Sequence, residues 1–254
     1  MRRRLIGFFI ALLIAALVGS AHAHAINGGK NASAEIAAQT VLIVSTRGST
    51  CSAAVIARDL LLTAGHCVQP EASYAISINE GAGPHIVPIT RIVLHPNYDP
   101  HQFEKRKPSP DIAIVKISEP LPARFHQARL ATERALPKQG ETFTLAGYGF
   151  SIEGDPRSAG KVRMVTLPTI GTTTFGAIGG SMVRVSAGHG SSAGACDGDS
   201  GGPVFRGEML AAVIGWINTP AGRNCGSVTG ATLVALQRDW IVSTAHALGA
   251  TIRE

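Results

Sequence analysis

The chain predicts an all-β fold, and three observations carry that prediction. Runs of β-branched and aliphatic residues recur at short intervals. Among them 29 glycines and 14 prolines are scattered as turn formers. Helical spacing is absent until the C-terminal end. Strands are expected at 41–46, 53–63, 85–94, 111–118, 142–148, 161–168, 181–186, 203–206 and 209–217. Leu233, Leu236, Trp240, Ile241 and Ala245 fall close to three-and-four spacing, which predicts one short helix over 233–248. No internal repeat or low-complexity tract interrupts the pattern.

The front of the chain reads differently. Met1-Arg2-Arg3-Arg4 is positive, Leu5 to Gly19 is apolar, and Ser20 to Ala25 offers small residues at two cleavage positions. This is the pattern of a secretory signal peptide over residues 1–25, cut after Ala23 or Ala25. The apolar run is too short for a good membrane span, so no membrane association is expected once it is removed. The Ala-rich leader points to a bacterial exporter and a secreted or periplasmic product. Residues 1–25 hold three of the 23 Lys and Arg residues and no acid, so the remainder has 20 basic against 17 acidic residues. A net charge of +3 over 229 residues excludes a strongly basic nucleic-acid binder. Lys105-Arg106-Lys107 is the only dense basic run, and its Pro-rich surroundings read as a solvated loop. Residues 26–254 fit one large β domain or two fused barrels.

The most informative stretch is residues 196–204, Cys-Asp-Gly-Asp-Ser-Gly-Gly-Pro-Val. Glycines around a serine let the main chain take angles that other residues resist, and let a ligand come close. Such a turn can present Ser200 while the amides of Gly198 and Ser200 converge on one point, as an oxyanion requires. A serine hydroxyl is a poor nucleophile without a base, and the base needs an orienting partner. His66 follows the apolar run Leu61-Leu62-Thr63-Ala64-Gly65, and Asp111 heads the alternating stretch Ile112-Ala113-Ile114-Val115. The order His, Asp, Ser excludes the subtilisin and α/β-hydrolase arrangements. Gly198-Asp199-Ser200-Gly201-Gly202 does satisfy the hydrolase elbow in form, yet the βαβ pattern is missing.

On these residues the chain resembles the chymotrypsin-like, trypsin-family serine endopeptidases. The resemblance runs from Ile26-Asn27-Gly28-Gly29 through Thr63-Ala64-Gly65-His66-Cys67, Asp111-Ile112-Ala113 and Gly147-Tyr148-Gly149 to Gly198-Asp199-Ser200-Gly201-Gly202-Pro203. It implies two six-stranded antiparallel β-barrels with the active site in the cleft between them. Ser200 would attack the scissile carbonyl, His66 would carry the proton and Asp111 would orient the imidazole. Gly198 and Ser200 would form the oxyanion hole. A new N-terminus at Ile26 would pair its ammonium with Asp199. Four cysteines allow three pairings or a metal site, although CxxC spacing is lacking. The resemblance selects disulfides Cys51–Cys67 and Cys196–Cys225. It sets the substrate pocket at Gly194, Ala195, Gly215, Trp216, Ile217 and Gly230.

Gly194 carries no charge at the pocket base, so a buried Lys or Arg of the substrate would lack a partner. Ile217 would narrow the pocket, favouring small or medium apolar residues. Gly215 stands where the family often has a serine bonded to the triad Asp, and Ser52-Ala53-Ala54 replaces the usual Gly-Gly-Ser. Protein or peptide substrates, a monomer, and no cofactor, metal or nucleic acid are expected. The rival readings are a catalytically silent relative that binds, another triad hydrolase such as an esterase, and a protease narrowly specific for one partner.

Overall fold

The computed structural model describes residues 26–253 except 80, 82, 103, 153, 177–179, 189, 190, 192 and 220–224. The expected signal peptide lies outside the described residues. The chain enters through a two-residue strand β1 (Lys30–Asn31) and a short helix α1 (Ala34–Ala38). Ser33 caps that helix by accepting the Ile36 amide at 3.3 Å.

Six strands then close a first barrel: β2 (Thr40–Ser45), β3 (Thr50–Val55), β4 (Leu60–Thr63), β5 (Tyr74–Asn79), β6 (Pro84–Leu94) and β7 (Ala113–Ile117). All its pairings are antiparallel, in the order β2-β3-β4-β7-β6-β5. A short strand β8 (Arg129–Leu130) leads to the second barrel. That barrel is built from β9 (Thr142–Gly147), β10 (Arg163–Thr174), β11 (Ser181–Ser186), β12 (Pro203–Arg206), β13 (Met209–Asn218) and β14 (Val228–Leu233). The sheet runs β10-β11-β14-β13-β12-β9 and closes where β9 pairs back with β10. Closure leaves no edge along either ring, which suits a chain of many short strands.

Each barrel fills its own interior. Val41, Ile43, Leu60, Leu62, Ile76, Ile114 and Val115 pack in the first, and Phe143, Leu145, Val183, Val185, Ile214 and Ala231 in the second. The C-terminal helix α2 (Arg238–Ala247) returns to the first barrel, burying Ile241 and Ala245 in its core. Lys116 on β7 is held between Asp59 at 2.6 Å and the Leu248 carbonyl at 3.0 Å, fastening the end of that helix.

Several elements depart from expectation. The run 53–63 is two strands, because the Ile56 and Ala57 amides both turn back to the Leu60 carbonyl. Expected strand 161–168 continues to Thr174 past a register shift between Thr169 and Gly171. The sequence reading missed β5, although Ile76 and Ile78 alternate inward there. It also missed β14, whose Val-Thr-Gly-Ala-Thr-Leu lacks bulk. Leu233 is strand rather than helix; α2 starts only at Arg238.

Candidate active site

The first barrel supplies an imidazole and a buried carboxylate. His66 sits in a 3-10 turn, Gly65–Val68, that follows β4 directly. Asp111 lies just before β7 and is fully buried. Its Oδ2 is 2.7 Å from His66 Nδ1, and its Oδ1 accepts the His66 backbone N–H at 2.9 Å. One carboxylate thus fixes both the ring and the main chain that carries it. Donation from Nδ1 leaves Nε2 as the acceptor nitrogen of the neutral ring. Burial opposes the imidazolium, but the charge of Asp111 and its hydrogen bond outweigh burial, so the His66 pKa is raised above 6.5. Nε2 lies 3.7 Å from Cys67 Sγ, and no hydrogen bond joins it to Ser200 Oγ.

The turn itself is braced. Tyr98 packs so closely on Gly65 that a Cβ there would stand 3.1 Å from its ring. Gln69 Nε2 donates to the Gly65 carbonyl. A disulfide joins Cys51 on β3 to Cys67, and a second joins Cys196 to Cys225. Cys51, His66 and Cys67 cluster closely enough to share a metal ion, but the two sulfurs are bonded to each other and offer no thiolate.

The second barrel supplies the serine, on the turn before β12. Three amides of this turn find acceptors: Asp199 N with Cys196 O at 3.0 Å, Gly201 N with Ile214 O at 2.7 Å and Gly202 N with Asp199 O at 2.9 Å. Among the described residues the amides of Gly198 and Ser200 have none. Two unpaired donors flank Asp199 in a folded turn, where backbone groups are ordinarily satisfied. Gly198 has φ of 91°, and a Cβ on it would meet Gly149 Cα at 2.9 Å. Only glycine suits both the angle and the space.

Ser52 joins this turn to the first barrel, and sequence reasoning assigned it no part. Its N–H donates to the Ser200 carbonyl at 2.8 Å and its carbonyl accepts Thr63 Oγ1 at 2.9 Å. Its hydroxyl donates to the Gly198 carbonyl at 2.9 Å and accepts the Tyr148 N–H at 2.9 Å. The departure from Gly-Gly-Ser seen in the sequence is therefore a hydrogen-bonding node.

Asp199 is buried, and among the described residues no cation pairs with it. Oδ1 accepts the Gly149 amide and Oδ2 the Cys196 amide, both at 2.8 Å. Burial pushes its pKa up to about 7 against the pull of those two bonds, and the Asp197 charge adds to the rise. A Cβ at Gly147 or Gly149 would run into this carboxylate, which accounts for the Gly-Tyr-Gly motif. Ile26 is fully buried in the second core alongside Ala195. The Asn27 carbonyl accepts the Gly194 amide at 3.0 Å. In the uncut chain Ile26 N is a peptide nitrogen and carries no charge to offer Asp199.

The six expected pocket residues lie around the pairing of β13 with β14, where Trp216 stands opposite Gly230 and Ile217 opposite Thr229. Gly194 faces the backbone of Gly226, where a Cβ would find Gly226 Cα at 3.0 Å. Ala195 is fully buried, its amide on Thr229 Oγ1 at 3.2 Å. A register shift between Ile214 and Trp216 sets Trp216 directly opposite Gly230, and the indole takes the space that the glycine leaves. Trp216 and Ile217 line a cavity of about 340 Å³ that Gly194, Ala195, Gly215 and Gly230 do not line. A Cβ on Gly215 would stand 3.6 Å from Asp111 Oδ2, so the absent serine leaves that oxygen with His66 alone.

A protein-family model for trypsin matches residues 26–247. The chain belongs to the trypsin family. By that kinship it is a serine endopeptidase. It is similar to trypsin iota of Drosophila melanogaster, 26% identical over 208 residues, covering 78% of this chain and 79% of that protein. Trypsin alpha-4 of Lucilia cuprina is 28% identical with the same coverage. Human serine protease 56 is 29% identical over 75% of this chain and 34% of its own length. The solved structure of HBP is 20% identical with a TM-score of 0.69, covering 87% of this chain and 97% of that one. Mouse neuropsin follows at 19% and 0.66, covering 86% and 99%. These two likenesses show the fold. Animal relatives give the bacterial reading of the leader no support.

Two outcomes test the site's construction. Ser52→Ala strips a partner from two buried backbone groups and should cost about 2 kcal/mol in urea unfolding. Asp199 binds its proton more tightly folded than unfolded, so between pH 3.8 and about 7 the folded state holds more protons and stability falls as pH rises. Thermal melts of the uncut chain should show that fall, and Asp199→Asn should flatten it.

Proposed function

We propose that the chain is a secreted endopeptidase that cuts peptide bonds through an acyl-enzyme on Ser200, after small or medium apolar residues. The observation that carries this reading is the buried Asp111 bonded to both His66 Nδ1 and His66 N, at 2.7 and 2.9 Å. The raised pKa of His66 suits a base that must become an imidazolium during reaction. Ser200 Oγ attacks the scissile carbonyl while His66 Nε2 takes its proton. Asp111 stabilises the imidazolium, which then protonates the leaving amine. Water repeats the sequence on the acyl-enzyme. The two unpaired amides at Gly198 and Ser200 receive the oxyanion, a task worth about 3 kcal/mol per donor in such sites.

Export through a signal peptide ending at Ala23 or Ala25 exposes Ile26, or leaves His24 and Ala25 ahead of it. The freed ammonium pairs with Asp199, whose burial without a cation favours that exchange. Two disulfides fit an oxidising compartment. Among the described residues no helix is long and apolar enough to cross a membrane. Peptides are the substrates, with no nucleic acid or metal, and the enzyme acts as a monomer. The uncharged Gly194 and the bulk of Ile217 support apolar specificity over Lys or Arg.

A peptide-library cleavage profile tests this on protein whose N-terminus reads Ile-Asn-Gly-Gly. Cleavage after small aliphatic residues is expected, with Ser200→Ala lowering kcat by roughly 10⁶-fold. Cleavage after Lys or Arg would overturn the pocket reading and keep the mechanism. No cleavage of any peptide would move the weight to a narrowly specific enzyme.

The pH profile gives a second test. The base must be neutral, so kcat/KM should fall as pH drops through a value above 6.5. Asp111→Asn removes the charge that raises His66, so the acid limb should move down while kcat falls about 10⁴-fold.

A further inference from the structure

The basic run at 105–107 is not uniformly solvated; its three charges part company. Lys105 Nζ pairs with Asp99 Oδ2 at 2.8 Å. Lys107 turns to a separate hollow beside Asn97 and Tyr98. Arg106 takes φ of 50°, a left-handed angle uncommon for a residue with a side chain. Its side chain lines the 340 Å³ cavity with Gln102, Pro108, Met182, Trp216 and Ile217. Among the described residues no carboxylate pairs with Arg106, since Lys105 holds Asp99.

Gln102 holds the loop that carries Arg106, its carbonyl accepting the Lys107 amide at 2.9 Å. Gln102 is 5% exposed, and its Oε1 is fixed by Ser109 N at 3.0 Å and Ser109 Oγ at 3.2 Å. Gln102 Nε2 is buried with no hydrogen-bond partner. The cavity adjoins the catalytic pair through both walls. Pro108 stands three residues before Asp111, and Trp216 follows Gly215, which faces Asp111 Oδ2.

We propose that this cavity is a substrate subsite for an acidic side chain near the cleaved bond, with Arg106 as its specificity-determining residue. The inference rests on the endopeptidase reading above. Glutamate fits better than aspartate. Its methylene stem can lie on Met182, Trp216 and Ile217 while its carboxylate reaches the Arg106 guanidinium. A planar guanidinium binds a carboxylate through two parallel bonds.

The test compares peptides in which each residue flanking the cleaved bond in turn is Glu or its uncharged isostere Gln. At one position the Glu peptide should show about fivefold higher kcat/KM at low salt, the scale of one partly exposed ion pair. The ratio should shrink as salt rises. Arg106→Ala should bring it near one, and Arg106→Glu should reverse it in favour of Gln. A ratio near one at every position overturns the proposal, as does a Glu preference that survives both variants. Two turnover-free measurements separate this from the reading beneath it. Reaction of Ser200 with a fluorophosphonate reports the catalytic serine alone. Affinity of the Ser200→Ala protein for the Glu and Gln peptides reports the subsite alone. Labelling with equal affinities overturns the subsite only; no labelling with tighter Glu binding overturns the catalytic reading only.

Discussion

Three of the four hydrogen bonds of Ser52 cross from the first barrel to the second, and the candidate site depends on that meeting. Neither barrel holds a complete site. The first carries His66 and Asp111, and the second carries Ser200 with its unpaired amides. Ser52 sits on β3, next to the cysteine whose disulfide ties down the His66 turn. From there it grips Gly198 and Ser200 through their carbonyls. Those carbonyls fix the Gly198–Asp199 and Ser200–Gly201 peptide planes, which bracket the Asp199–Ser200 peptide between them. A main-chain arrangement of this kind is rigid because every alternative leaves buried polar groups unmet.

Two buried carboxylates solve the same problem in different ways. Asp111 is compensated within its own barrel, by an imidazole and a backbone amide. Asp199 has two amides and no cation, so burial dominates and its proton is held to about pH 7. The difference follows from where each sits. Asp111 borders a cleft that admits a part-exposed histidine, with 31% of its side chain open. Asp199 is enclosed by Gly147, Gly149 and its own turn, where no side chain fits. The segment at Ile26 is packed into the adjoining core.

The space around Trp216 is set by one cross-strand pairing. Opposite residues share a face of the sheet, so an indole facing a glycine folds over it. The volume that Gly230 leaves open in the sequence is thereby filled, and the open volume moves to the other side of Trp216, against the loop that leads to Asp111. That shift brings Arg106, a loop residue by every sequence criterion, to a wall of the cavity.

The sequence by itself determined the all-β class, most strand positions and the motifs around His66, Asp111 and Ser200. Strong β-branched runs and turn glycines are local signals, and a motif with fixed flanks is legible without coordinates. β14 was hidden because Thr229, Gly230 and Thr232 are not apolar, and their burial comes from neighbours far along the chain. Only the tertiary structure gave Ser52 its four partners, the nearest 11 residues away and the others 96 or more. Only it folded the Trp216 indole over Gly230 and divided the basic run, because those outcomes turn on one register shift and on side-chain packing between loops. Local preference writes the elements; long-range packing decides what lies between them.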